Sequence, residues 1–333
     1  MNSLERINAA VTFQKPDRVP VIAQVFGHSA ILSGHSLGEF VKSGEIVARC
    51  QMKALDHYGY DAVFAIFDTC IEAEACGAKI LYKDNLYPAV QTPALTSSSN
   101  LDAIDIPNPK QAGRMPDVLK ALNILSKEVG NETLVVGCVI GPMTVTTQLL
   151  GIEDALYMAV DHPDQFEKVL DFASELIITY GKSQIDAGAH LPIVFDPSAS
   201  PVVVPPAFFR EFILPRHKKV LKAFKEYGSI ANWVHVAGPA LPIFPFYTES
   251  GVDIANMDYN VDPLKAQKAL PKTCLDGNIK SVSFIDGTPE EIFLEAKKLI
   301  NLFSIRGGYI LSSGCEIPPE SKPENIAALL EAV

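Results

Sequence analysis

The sequence predicts a (β/α)8 barrel carried by one domain spanning residues 1–333. Two observations point there. Eight short, β-branched apolar runs recur along the chain, and amphipathic helical patterns lie between them. The runs are continuous rather than alternating, as in parallel strands covered on both faces.

The runs are residues 19–25 (VPVIAQV), 61–67 (DAVFAIF), 134–140 (LVVGCVI), 191–195 (LPIVF), 230–236 (IANWVHV), 252–257 (VDIANM), 273–275 (TCL) and 308–311 (GYIL). Helical patterns cover 153–162, 163–186, 205–227, 264–270 and 289–302. Thr288 fits an N-cap, with Pro289 at the first helical position. Residues 83–117, rich in Pro, Asn and Ser, read as a long excursion after the second run. A doubly wound open sheet is the competing architecture. No GxGxxG follows the first run, which weighs against a dinucleotide site.

The chain has 333 residues, 48% of them hydrophobic, and a formal charge of -11. That length suits a one-domain barrel. Such acidity repels phosphate backbones, so nucleic acid is excluded as a partner. The start MNSLERINAA has no apolar signal region, and no run approaches a membrane span. A cytoplasmic location follows, where the six scattered cysteines stay reduced. A special cysteine there is a ligand or nucleophile before it is half of a disulfide.

Active sites of such barrels form at the C-terminal ends of the strands. His235 lies near the end of the fifth run, Cys274 in the seventh and Cys315 just past the eighth, in SSGCEIPP. The spacing allows all three to meet at the mouth. One imidazole and two thiolates suit zinc and leave a fourth position open. The plainer readings are a small buried hydrophobe for each cysteine and a satisfied core histidine. Asp68 and Asp196 occupy mouth positions, where a carboxylate binds substrate or caps a helix. Asp258 and Asp276 are candidate outer or fourth ligands. Glu72 and Glu74 start a helix, with Glu72 a candidate to face the mouth. Thr144 and Gln148 follow a Gly141-Pro turn that either offers N–H groups to an anion or is only a tight turn. His57, His162 and His217 fall in helical patterns and read as surface residues.

Three segments carry a family resemblance: LERINAAVTFQKPDRVPV, GPMTVTTQLLG and SSGCEIPPESKPENI. They resemble the uroporphyrinogen decarboxylase superfamily, in order and over nearly the whole chain, which implies the same barrel. That decarboxylase itself is a remote alternative. Its arginine-rich loop after the first strand has no counterpart in QVFGHSAILSGHSLGEF. The SSGC ending is similar to the zinc- and corrinoid-dependent methyltransferase branch. The branch's His-x-Cys then Cys motif places His235 and Cys315, but the middle position is Ala237. Cys274 is the expected substitute.

The resemblance implies methyl transfer between a small donor, an aryl methyl ether, and the Co(I) corrinoid (cobalamin) of a separate protein. Zinc would polarise the ether, and Asp196 or Asp258 would orient the donor or supply a proton. Asp68, Glu72, Thr144 and Gln148 are the substrate-binding candidates. The alternative is methylation of a thiol of the coenzyme M type, or of a pterin. No Asp-x-His-x-x-Gly corrinoid motif is present, so the corrinoid protein is a transient partner.

Overall fold

The computed structural model describes residues 1–65, 68–96 and 105–333. Its centre is a seven-stranded parallel sheet. The strands are β1 (Ala62–Phe64), β4 (Leu134–Ile140), β5 (Leu191–Phe195), β6 (Trp233–His235), β7 (Ile254–Met257), β8 (Cys274–Ile279) and β9 (Tyr309–Ser313). An antiparallel hairpin, β2 (Lys79–Lys83) and β3 (Leu86–Thr92), stands apart at the start of the predicted excursion. Residues 66–67, which end the second run, and 97–104 of the excursion lie outside the described residues.

The strand order is β1-β4-β5-β6-β7-β8-β9. It follows the chain with no reversal, so the doubly wound alternative is wrong. The sheet is curled. Laid flat, β1 and β6 would lie about 14 Å apart, yet the Phe64 and Trp233 rings approach to 6.3 Å. Both therefore face the concave interior.

The first run does not become the expected strand. It makes one isolated parallel bridge, Val21 with Leu311. Pro20 has no N–H to donate, and Val25 N–H already turns back to the Ala23 carbonyl. The segment still touches both edges of the sheet. Leu311 N–H donates to the Pro20 carbonyl (2.9 Å), and Asp61 N–H to the Val21 carbonyl (2.8 Å). The Asp61 carboxylate, fully buried, accepts from Arg6, Arg18, Ser3 and Val21 N–H.

Helices cover the convex face. Pro163–Asp186 buries Phe166, Val169, Leu170, Ala173, Leu176, Ile177 and Tyr180 at three- and four-residue intervals. Pro289–Phe303 starts as expected, with Thr288 and Glu291 forming a reciprocal cap. The predicted 205–227 helix is broken into Pro206–Phe208, a π-helical turn Phe209–Ile213, and Leu214–Tyr227. Among the described residues, no helix is long and apolar enough to cross a membrane.

Candidate active site

The C-terminal strand ends assemble a compact mouth. His235 ends β6, Asp258 follows β7, and Gly314-Cys315-Glu316 follows β9. Gly314 permits the closest approach. A Cβ there would lie 2.5 Å from Tyr259 N and 3.1 Å from Asp258 Cα. Asp258 accepts from Gly238 N–H (2.8 Å) at one oxygen and from the Asn260 N–H (3.2 Å) and amide (3.3 Å) at the other. The Asp258 carboxylate thus joins the exits of β6 and β7, and its backbone borders Gly314 at the exit of β9.

His235 is 2% exposed, and its Nδ1 is buried without a partner. Burial depresses its basicity to about 3, so the imidazole is neutral. Its ring packs 4.9 Å from that of Phe195, which in turn meets Phe26. The Cys315 thiol is half-buried and pushed up to about 11, chiefly by burial. The nearby Glu316 and Asp258 charges push it the same way. Cys315 is therefore a thiol at neutral pH, with its N–H and carbonyl both bonded to Ser281 Oγ.

Two residues that sequence reasoning missed complete the rim. Glu316 accepts a very short hydrogen bond from Tyr87 and a longer one from Gly27 N–H (3.3 Å). Burial raises its carboxyl to about 7. Tyr87 belongs to the β2–β3 hairpin, so this contact fastens the hairpin to the β9 exit. Glu316 was findable as the carboxylate next to Cys315; nothing in the sequence marks Tyr87. Deeper in the concave interior, Asp276 accepts from Trp233 Nε1–H (2.9 Å) and the Asn256 amide (3.0 Å). Burial raises Asp276 to about 7.

The remaining sequence candidates have structural occupations. Asp196 is fully buried and caps the helix Pro142–Leu150. It accepts from Thr144 N–H (2.8 Å) and Oγ1–H (2.7 Å), and bonds His217 Nε2 (2.8 Å). Asp196 and Thr144 therefore bond each other, and His217 is buried rather than on the surface. Gln148 is half-buried one turn further on. Asp68 is locked to the buried Arg114 guanidinium, which also holds Glu74. Glu72 accepts from Ile140 N–H (2.8 Å) at the exit of β4 and is buried.

Cys274 is the main correction. It is the first residue of β8, not a mouth residue. Ile279, five residues further, pairs with Ser313 of β9. Cys274 thus lies about 16 Å down the strand from that level, and Cys315 is further beyond. Two thiolates on one zinc sit about 4 Å apart. Among the described residues, no three His, Cys, Asp or Glu side chains are grouped to hold a metal ion. The residues present do not form the expected His235–Cys274–Cys315 zinc site.

The chain matches the family model "Uroporphyrinogen decarboxylase (URO-D)" over residues 2–333. It is 28% identical to methylcobamide:CoM methyltransferase MtaA of Methanosarcina barkeri, over 98% of this chain and 96% of that one. It is 25% identical to a methylated-thiol–coenzyme M methyltransferase of Methanosarcina mazei, covering 100% of this chain and 89% of that one. A solved structure described as a methyltransferase from Methanosarcina mazei matches with a TM-score of 0.90 at 26% identity, over 100% and 98% of the two chains.

Proposed function

Because the chain belongs to the uroporphyrinogen decarboxylase family, we propose that it is a corrinoid-dependent methyltransferase working with a separate, transiently bound corrinoid protein. The observation that carries this reading is end-to-end sequence likeness to a methyltransferase whose name specifies a methylcobamide, beside end-to-end fold likeness to a structure described as a methyltransferase. The curled sheet and the Val21 bridge are read as a closed barrel, whose C-terminal rim receives the corrinoid.

The finer reading is demethylation of a small methyl donor, an aryl methyl ether. Phe26, Phe64 and Phe195 form an apolar interior wall suited to a flat ring. Neutral His235 lies against that wall, where on this reading it would orient the ether oxygen, while Asp258 holds the rim through Gly238 and Asn260. The partner's Co(I) corrinoid would supply the electron pair for the new bond to the methyl carbon; the C–O bond would break with its electron pair left on oxygen, and the released phenolate would take its proton from water. No step is assigned to zinc, because the ligand set does not fit one.

The second reading is methylation of a thiol of the coenzyme M type. The relatives' names favour it. The protonated state of Cys315 and the carboxylate-rich rim disfavour it, since nothing described there would hold a thiolate. Decarboxylation of a porphyrinogen has the least support: no arginine lies between residues 24 and 40 to hold its carboxylates.

The test is spectroscopic. A Co(I) corrinoid protein, the chain and a methoxyarene such as 2-methoxyphenol are mixed anaerobically, and conversion to methyl-Co(III) is followed by absorbance. The reverse assay supplies methyl-Co(III) and 2-mercaptoethanesulfonate. Transfer in the first supports demethylation; transfer only in the second selects the thiol reading; transfer in neither rejects both.

A further inference from the structure

We infer that this chain lacks the three-ligand zinc centre of the branch it resembles, and that, among the described residues, its mouth keeps only His235 and Cys315 of that ligand set, one ligand short at Ala237. The inference concerns the ligand set alone and does not require the proposed direction of transfer.

The third ligand cannot come from another thiol. Cys274 is at the opposite end of β8. Cys138 is buried in mid-β4, and Cys50 is buried on the helix Gly44–Tyr58. The Cys70 thiol donates to the Pro88 carbonyl (3.3 Å) and, among the described residues, belongs to no group of three side chains that could hold a metal ion. Cys76 closes the short helix Ile71–Ala75. At the rim both Asp258 oxygens hold Gly238 and Asn260 donors, Glu316 takes Tyr87 and Gly27 N–H on one oxygen, and neither carboxylate is grouped with two further His, Cys, Asp or Glu side chains among the described residues. Catalytic zinc sites rest on three protein ligands, so a pair leaves about half of the coordination shell to water and binds weakly.

The gap has a definite address. Residue 237 follows His235 by two, so an extended chain returns its side chain to the same side. Its neighbour Gly238 donates to Asp258, and Asp258 abuts the Gly314–Cys315 backbone. A thiol at 237 would lie on the β6 exit, next to the Gly238–Asp258 bond that borders Gly314. His235 presents a buried Nδ1 with no hydrogen-bond partner, free to ligate a metal once a third ligand is supplied.

Zinc is measured by elemental analysis on the full chain, purified without chelator and equilibrated with zinc before desalting. The proteins are wild type, Ala237→Cys, Ala237→Cys with Cys315→Ala, and Cys274→Ala. Circular dichroism and thermal unfolding establish that each is folded. Wild type and Cys274→Ala should be equally poor in zinc. Ala237→Cys should hold about one zinc per chain and lose it again with Cys315→Ala. Cobalt(II) loaded into Ala237→Cys should show thiolate charge-transfer absorption that wild type lacks.

About one zinc per wild-type chain, resistant to a chelator, would overturn the inference. So would a folded Ala237→Cys that stays metal-poor. Methyl transfer run in parallel separates this from the proposed function. A zinc-poor, active wild type upholds both. A zinc-poor, inactive one upholds the inference and rejects the function. A zinc-loaded, active one rejects the inference alone.

Discussion

Replacing Glu72 by glutamine should stabilise the protein, and by an amount that depends on pH. Glu72 is 2% exposed and accepts one hydrogen bond, from Ile140 N–H at 2.8 Å. Burial raises its carboxyl to about 8; Asp68 pushes it further up, while Arg114 and the Ile140 bond oppose. In the unfolded chain the same group ionises near 4.5. Below that pH it is protonated in both states and has no effect. Between 4.5 and about 8 the unfolded chain loses the proton and the fold keeps it. Stability therefore falls by about 1.4 kcal/mol per pH unit as pH rises through that window. Glutamine keeps the Ile140 bond and cannot ionise. The variant should match wild type near pH 4.5 and exceed it by about 3 kcal/mol at pH 7. The assay is urea unfolding of both proteins at half-unit steps from pH 4.5 to 8. Asp276 and Glu316 titrate in both proteins and cancel in the difference. A difference that stays constant with pH would refute the reasoning.

Arg114→Ala should cost about 3–5 kcal/mol in urea unfolding, because it leaves the Asp68 carboxylate buried without its cation. Gly141→Ala should lower the melting temperature and cost about 2 kcal/mol or more, since its Cβ would lie 2.3 Å from the Asp196 carboxyl carbon. An unchanged melting temperature would mean that Asp196 is free to move. Asp276→Ala strips the acceptor from Trp233 and Asn256 and should cost about 2–4 kcal/mol. Trp233 is the only tryptophan, so its emission should shift in the folded variant.

Apolar runs exposed most of the sheet, because strands buried on both faces have no polar alternation to hide them. The seventh run shows where that signal fails. TCL was legible, but Asp276-Gly-Asn278 has the composition of a turn. In the fold these residues continue β8 through the interior. Asp276 answers Trp233 and Asn256, and the Asn278 amide donates to the Val261 carbonyl (2.8 Å). Ending the strand three residues in made Cys274 look like a mouth residue when it is the strand's first. Asp196 shows a related ambiguity. A carboxylate just past a strand is equally a ligand and a helix cap, and only the position of Thr144 and His217 decides. The first run failed at Pro20, where apolar composition outran the supply of N–H donors. The rim around Asp258 and Cys315 was legible because each lies immediately past a strand, where the fold needs no side chain of that type for packing.

The seam at Val21 sets an order of events. Gln24 and Ser312, neighbours there, stand 288 residues apart, so nearly the whole chain must leave the ribosome before this contact can form. Loop closure of that span opposes the contact until the intervening strands have shortened it. The Arg6, Arg18 and Ser3 bonds to Asp61 span at most 58 residues and can form early. They would hold the N-terminal segment against β1 while the other edge is still being synthesised. The last strand to be made is then the one that meets the Val21 segment and, two residues later, delivers Cys315 to the strand ends.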